Sequence, residues 1–550
     1  MEDVNIEQTK EYHRTYITCS SFTNQLKPLN MKRIFSLRNV ACIGFALMAF
    51  TACKKESSMI GSENAEAAQK ATAEFNNPKL SLSIIFYALA GGTSLDKLST
   101  ADPEKVISSV NLTGLQSGET ILPIDFRPAT GQLYGIGSTS RLYIINPETG
   151  VARMVGSGPI NPTLTGTLAG FDFNPTVDRI RLVTSSGQNL RINPETGAVI
   201  TDGNINGQLG AMISSVAYTN NFAGASSTTL YDIDVNSQML FKQVPPNDGK
   251  LEPVGPLQMK VEGEGGFDIS AEGNVALALY EVNKKSTLFT IDLQTGKTKT
   301  LAKYEKSVMY TGIAIPTQPV AYALTAANQF LIFNPTNATS VITKAVTGLA
   351  AGETLVGLDM RPINGQLYAV SNTSRLYTIN AASGMATLAG QLSIPLSGTS
   401  FGFDFNPLVD RIRIVSNTGQ NLRVNPIDAV AINDGMLNSS SGMPSITAAA
   451  YTNNFAGTTS TTLFDIDTQT DQLMIQNPPN AGTLVPVGSL GLNAEAANGF
   501  DIGGTSGVAY AILTIPGSTG LYRISLGTGA ATLVSPFNTQ VTGFTVGLGF

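Results

Sequence analysis

Six aspartates hold the positions from which chemistry could be done. Asp125, Asp172 and Asp268 recur as Asp359, Asp404 and Asp501, each inside a short apolar stretch such as Gly170-Phe-Asp-Phe-Asn-Pro175. Three carboxylates brought together could hold a hard cation such as Ca²⁺, which takes oxygen ligands. The competing reading is structural: a strand aspartate flanked by Phe171 and Phe173 accepts hydrogen bonds from a neighbouring loop, or pairs with Arg179 or Arg181. Asp232/Asp234 and Asp465/Asp467 alternate, so each pair falls on one strand face; their spacing is not that of a calcium-binding loop. Arg179/Arg181 and Arg411/Arg413 alternate in the same way and are expected to bridge neighbouring sheets rather than bind an anion. The loops Tyr218–Asn221 and Tyr451–Asn454 could offer hydrogen bonds to a glycan or peptide, although Asn in a turn more often serves backbone geometry.

Other chemistries lack their residues. The only histidine is His13 and the cysteines are Cys19, Cys42 and Cys53, so the chain after Cys53 contains neither type. That removes Ser-His-Asp triads, thiol nucleophiles and ordinary zinc sites from the body of the protein. No glycine-rich phosphate loop of the Walker type is present. A glycosidase built on two carboxylates survives on composition, but no pair is singled out by spacing. No catalytic or metal-binding residue is therefore assigned, and no cofactor beyond a Ca²⁺ at the aspartates is expected. A net charge of −6, with 13% charged residues, gives no basic face for nucleic acid.

The elements that position these residues are repeated. Ala217–Gly224 returns unchanged at Ala450–Gly457, and Gly187–Arg191 returns at Gly419–Arg423, offsets of 233 and 232 residues. The chain is a tandem duplication, with one unit over 79–316 and a second over 317–550. Inside each unit, groups of about 35–45 residues hold four short alternating segments, with turn signals such as Asn193-Pro-Glu-Thr-Gly197. Four strands per repeat of about 40 residues is the period of a β-propeller blade. The fold expected is all-β, with about ten four-stranded blades. Ile84–Leu89 aligns with the second strand of a blade, while Tyr310–Pro316 and Val541–Phe550 are lone first-type strands. Late strands that complete an early blade would close a ring without an exposed edge. Two five-bladed rings and one ten-bladed ring both fit. The short Ile315–Val320 link favours the single ring, and the equal length of the copies favours two.

The N-terminus reads as an address. Lys32, Arg33 and Arg38 precede the apolar run Val40–Phe50, and Thr51-Ala52-Cys53 resembles a bacterial lipobox. The run is shorter than the ~20 residues of a membrane span. Residues 31–52 are expected to be a lipoprotein signal peptide, Cys53 the lipidated residue, 53–78 a tether and 1–30 an upstream extension. The mature protein would be exported and anchored in the cell envelope at the outer membrane, on its periplasmic or outer face.

The order of motifs, GFDFNP-x-VDRIR, GQNLR-x-NP, AYTNNFAG, TTL(Y/F)DID and GFDI, resembles the bacterial domain-of-unknown-function 4394 family across both copies. The resemblance implies an exported propeller-like protein and carries no activity or catalytic residues with it. In the second copy Pro194-Glu-Thr-Gly197 becomes Pro426-Ile-Asp-Ala429, so a looser turn is expected there. The function expected is that of a non-catalytic binding module with a glycan or protein ligand and a membrane tie through its lipid. A polysaccharide hydrolase or lyase and a structural envelope role are the alternatives.

Overall fold

The computed structural model describes residues 83–305, 307–440, 442–496 and 499–550. The expected extension, signal peptide, lipidated Cys53 and tether lie outside the described residues. The described chain is almost wholly β, in ten antiparallel sheets of four strands, one of which gains a short fifth strand at Asn438–Ser439. Two single 3₁₀ turns, Pro246–Asp248 and Pro479–Ala481, are the helical elements. No described helix is long and apolar enough to cross a membrane.

In each copy, one strand of each of five sheets faces a common centre. In the first copy these are β1 (Ile121–Phe126), β2 (Ala169–Asn174), β3 (Ile213–Tyr218), β4 (Glu262–Ile269) and β5 (Tyr310–Ala314). In the second they are β6 (Leu355–Met360), β7 (Phe401–Asn406), β8 (Ile446–Tyr451), β9 (Gly499–Ile502) and β10 (Gly543–Val546). Each touches the next, β5 returns to β1, and β10 returns to β6. This is a propeller-like arrangement. The late strands join the early sheet of their own copy: β5 pairs with Ile85–Ala90, and β10 pairs with Ala321–Leu324.

Local chemistry explains the close approach. Two residues before each inner aspartate of the second copy stand Gly357, Gly402 and Gly499, and Gly170 and Gly266 do so in the first. A Cβ on Gly170 would lie 2.6 Å from the Val216 nitrogen, and one on Gly266 2.3 Å from that of Ile313. Backbone cannot give way to a methyl at those distances, so glycine lets neighbouring inner strands pack edge to edge. Outside this centre, buried apolar faces interleave between adjacent sheets, as with Tyr134, Phe173, Ile180 and Leu190.

The turn in the second copy is not looser. Ala429 takes the left-handed conformation (φ +59°) that Gly197 takes in the first copy (φ +74°). Its N–H still reaches the Asn425 carbonyl at 2.9 Å, as that of Gly197 reaches Asn193. A left-handed alanine costs about 1 kcal/mol, which the closed hydrogen bonds of the turn outweigh.

Candidate site: two rings of inner-strand carboxylates

The structure brings the six predicted aspartates together as two groups of three. Asp125, Asp172 and Asp268 each offer an oxygen, all within 4.8 Å of one another, and Asp359, Asp404 and Asp501 do the same. All six are buried, none more than 1% exposed. These two triads are the only groups of three or more acidic, histidine or cysteine side chains in metal-holding range among the described residues.

Each aspartate first serves as a latch. Asp125 accepts the N–H of Phe173 on β2 at 2.8 Å, Asp172 that of Tyr218 on β3 at 3.1 Å, and Asp268 that of Ile315 after β5 at 2.5 Å. The second copy repeats this with Phe405 (2.7 Å), Tyr451 (3.0 Å) and Val546 (2.6 Å). The inner edge of a sheet has no further strand to pair with, and at three of the five sheets in each copy a carboxylate from the preceding sheet takes up one of its donors. No arginine is bonded to any of these six carboxylates; Arg179 donates to the carbonyl of Asp178 instead.

The repeated latch fixes which residues are equivalent. Every donor follows the inner-ring residue of its own strand, so the five positions are Asp125, Asp172, Ala217, Asp268, Ala314 in one copy. In the other they are Asp359, Asp404, Ala450, Asp501, Thr545. Only the fifth position differs in chemical type. The Thr545 hydroxyl lies 2.9 Å from both Asp359 Oδ1 and Asp501 Oδ2.

Burial dominates the electrostatics. It raises Asp125 well above the usual carboxylate range, and the Asp268 charge adds to this. Asp172, Asp359 and Asp404 rise for the same two reasons, burial first and then neighbouring carboxylates. Burial lifts Asp268 to about 7, against the pull of the Ile315 and Ile269 N–H groups. Asp501 rises to about 6, held back by the Val546 N–H and the Thr545 hydroxyl. Three such groups cannot all be ionised side by side without a proton or a cation among them. All six carboxyls are buried, which leaves no room for a sugar between the two that would flank a scissile glycosidic bond. As a glycosidase centre the triads do not fit.

The other candidates separate. Asp234 and Asp467 cap turns, accepting from Met212 and Ser445 N–H groups at 2.8 and 2.9 Å. Asp232 and Asp465 are buried with no hydrogen-bond partner, and burial raises both. These Asp-x-Asp pairs therefore do not converge on a cation. Arg181 reaches Asn189, Asp202 and, on the 3₁₀ turn of the next sheet, Asn247 at 2.6–2.8 Å; Arg413 repeats this with Asn421, Asp434 and Asn480. Both arginines thus tie neighbouring sheets together. Tyr218 and Tyr451 are buried, and Asn220 and Asn453 hold left-handed turn positions.

Sequence reasoning passed over Arg127. It is fully buried and pairs with Asp178 (2.8 Å) and Glu195 (2.7 Å). Its remaining nitrogen points at the carbonyls of Asn364 and Gly365 in the second copy, both at 3.4 Å. Around it, Tyr322 donates to the Ala129 carbonyl at 2.9 Å and the Gly549 N–H to that of Thr130 at 2.8 Å. The terminal Phe550 ring lies on Gly131, where even a methyl would collide at 2.3 Å. The signal was available: an arginine two residues after the inner aspartate recurs as Arg361, and the partner Asp178 recurs as Asp410.

No curated protein matches the chain. Among solved structures, the extracellular domain of BT4673 from B. thetaiotaomicron, described as a hybrid two component system, is 12% identical, with 84% of this chain and 79% of that one covered and a TM-score of 0.24. PorZ, a surface component of the type-IX secretion system of Porphyromonas gingivalis, is 11% identical, with 82% of this chain and 57% of that one covered and a TM-score of 0.24. The family model described as a domain of unknown function, DUF4394, matches twice, over residues 94–314 and 329–545. Those two matches take in most of both copies, and the chain belongs to the DUF4394 family as a tandem pair.

Proposed function

We propose that this protein is an exported, lipid-anchored component of the cell envelope that works as a non-catalytic binding or interaction module. In this reading each closed circuit of inner strands is a five-bladed propeller, and the two propellers share one buried seam. The observation that carries it is the fate of the polar residues. The inner aspartates, Arg127, Arg181 and Arg413 are all turned inward and engaged in the scaffold. What remains outward is a duplicated set of loops on a rigid body, the arrangement from which binding surfaces are usually built. The envelope assignment rests on the basic and apolar segment ending at Cys53.

The test uses the mature chain with Cys53→Ser, so that it is free of lipid. Saturable binding to arrayed envelope glycans or peptides, without release of reducing ends from a polysaccharide panel, is the expected result. Turnover of any polysaccharide, or the absence of any ligand, would contradict the reading. Separately, an intact mass beginning at an acylated Cys53 is expected for the exported protein; residues retained before Cys53 would remove the anchor.

A further inference from the structure

The fifth inner-ring position separates the two triads chemically. In the second copy the single Thr545 hydroxyl touches Asp359 Oδ1 and Asp501 Oδ2 at equal distances of 2.9 Å. A hydroxyl has one hydrogen to donate, so only one of these carboxyls receives it. The other contact is a hydrogen bond only if that carboxyl carries a proton and donates it to the hydroxyl oxygen. Acid, hydroxyl and carboxylate thus close a chain that removes one charge from the second triad.

The first copy has no such device. Ala314 stands where Thr545 does, and Asp125 Oδ1, the counterpart of the Asp359 oxygen that meets Thr545, is buried without any partner, whereas in the second triad the unpartnered oxygen is Asp404 Oδ2, on the one carboxyl that Thr545 does not touch. That orphaned oxygen belongs to a side chain only 1% exposed. Its counterpart, Asp359 Oδ1, meets Asp501 Oδ2 across the Thr545 hydroxyl, so Asp125 Oδ1 holds the equivalent position towards Asp268. The three carboxylates offer oxygens within 4.8 Å of one another. This is also about the widest separation of two oxygens on one cation with bonds of ~2.4 Å, a calcium-like length. Three residues before each inner-ring position, Leu122, Ala169, Ser214, Gly265 and Thr311 line a small recess.

We propose that Asp125, Asp172 and Asp268 bind one hard divalent cation of the Ca²⁺ class, whereas the Thr545-bridged triad of the second copy holds a proton and binds none. Removing a buried, unpaired carboxylate cluster from its cation leaves like charges facing one another, so the ion also braces the first ring.

The test is the calcium stoichiometry of the full mature chain after chelator treatment, followed by Ca²⁺ loading, desalting and elemental analysis. One Ca²⁺ per chain is expected, with a rise in Tm that EDTA reverses. Asp125→Asn is expected to weaken binding at least tenfold, Asp359→Asn to leave one site, and Thr545→Ala to raise the count towards two. Zero or two ions on the unaltered chain would overturn the proposal. So would a single ion lost in Asp359→Asn but kept in Asp125→Asn. The wild-type count decides even if a variant fails to fold.

Discussion

The two copies carry the same ion pair in two settings. In the first, Arg127, Asp178 and Glu195 have side chains 0%, 3% and 10% exposed, because the second copy covers them. In the second, Arg361 and Asp410 keep the pair at 11% and 31% exposed, and Ile427 stands where Glu195 would be. The duplication therefore turned an outer-loop ion pair into the centre of a seam. The added Glu195 gives the buried arginine a second carboxylate, so Arg127 has hydrogen-bonding partners at every nitrogen. The lesson is that a repeat's local bonds are set by the repeat, whereas their weight is set by what the other copy covers.

That contrast can be broken by removing each arginine in turn. Arg127→Ala strands two buried carboxylates and should cost about 3–5 kcal/mol. Arg361→Ala frees a pair that water already reaches and should cost about 1 kcal/mol or less. Chemical denaturation of both variants checks this; equal losses would mean that the seam does not bury Arg127.

Arg181 and Arg413 provide the symmetric control. Their partners and distances agree closely, and each is 2% exposed. Alanine at either should cost about 3 kcal/mol, the two values falling within a few tenths of each other. A large difference would show that the copies differ beyond their seam.

The carboxylate rings make stability depend on pH. A carboxyl raised by burial stabilises the fold fully below its unfolded value, near 4, and loses that contribution as pH climbs through the folded value. For Asp268 that loss runs up to about 7, and for Asp501 up to about 6. In chelator, Tm should fall between pH 4.5 and 7, and each group should contribute on the order of a few kcal/mol. Asp268→Asn and Asp501→Asn should each flatten that slope. Asp202 and Asp434 work in the opposite sense: burial is outweighed by their arginine hydrogen bonds, both are lowered, and their contribution is lost as pH falls.

The smallest effect concerns one turn. Gly197→Ala should cost about 1 kcal/mol, since the left-handed backbone is strained while the nearest atom is 3.7 Å from the new methyl. Ala429→Gly should return less than that, because the methyl it removes is buried. Thermal melts of the pair measure both.

Much of this was legible from the residues. The recurrence of one aspartate on first strands, four times as Gly-Phe-Asp, marked the residues that the structure gathers into triads, because one residue type at one strand position must face one way. The placement of Tyr310–Pro316 and Val541–Phe550 marked strands in need of an early partner. What escaped was whatever depends on two distant segments. Thr545 and Ala314 reach the rings on strands that return from the far end of each copy. Arg127 gains its weight only from Asn364, Gly365 and the chain terminus around it. The Pro426–Ala429 turn escaped for another reason: the cost of a left-handed alanine is too small to open it.

Each copy closes upon its own last strand, and cysteine pairs test that directly in a body free of native cysteine after Cys53. Ala88 faces Ile313, and Ala323 faces Phe544. Oxidised chains bearing Ala88→Cys with Ile313→Cys, or Ala323→Cys with Phe544→Cys, should show the crosslink by peptide mass, while Ala88→Cys with Phe544→Cys should remain reduced. A crosslink between positions 88 and 544, with none in the two within-copy pairs, would mean a single continuous ring in place of two closed copies.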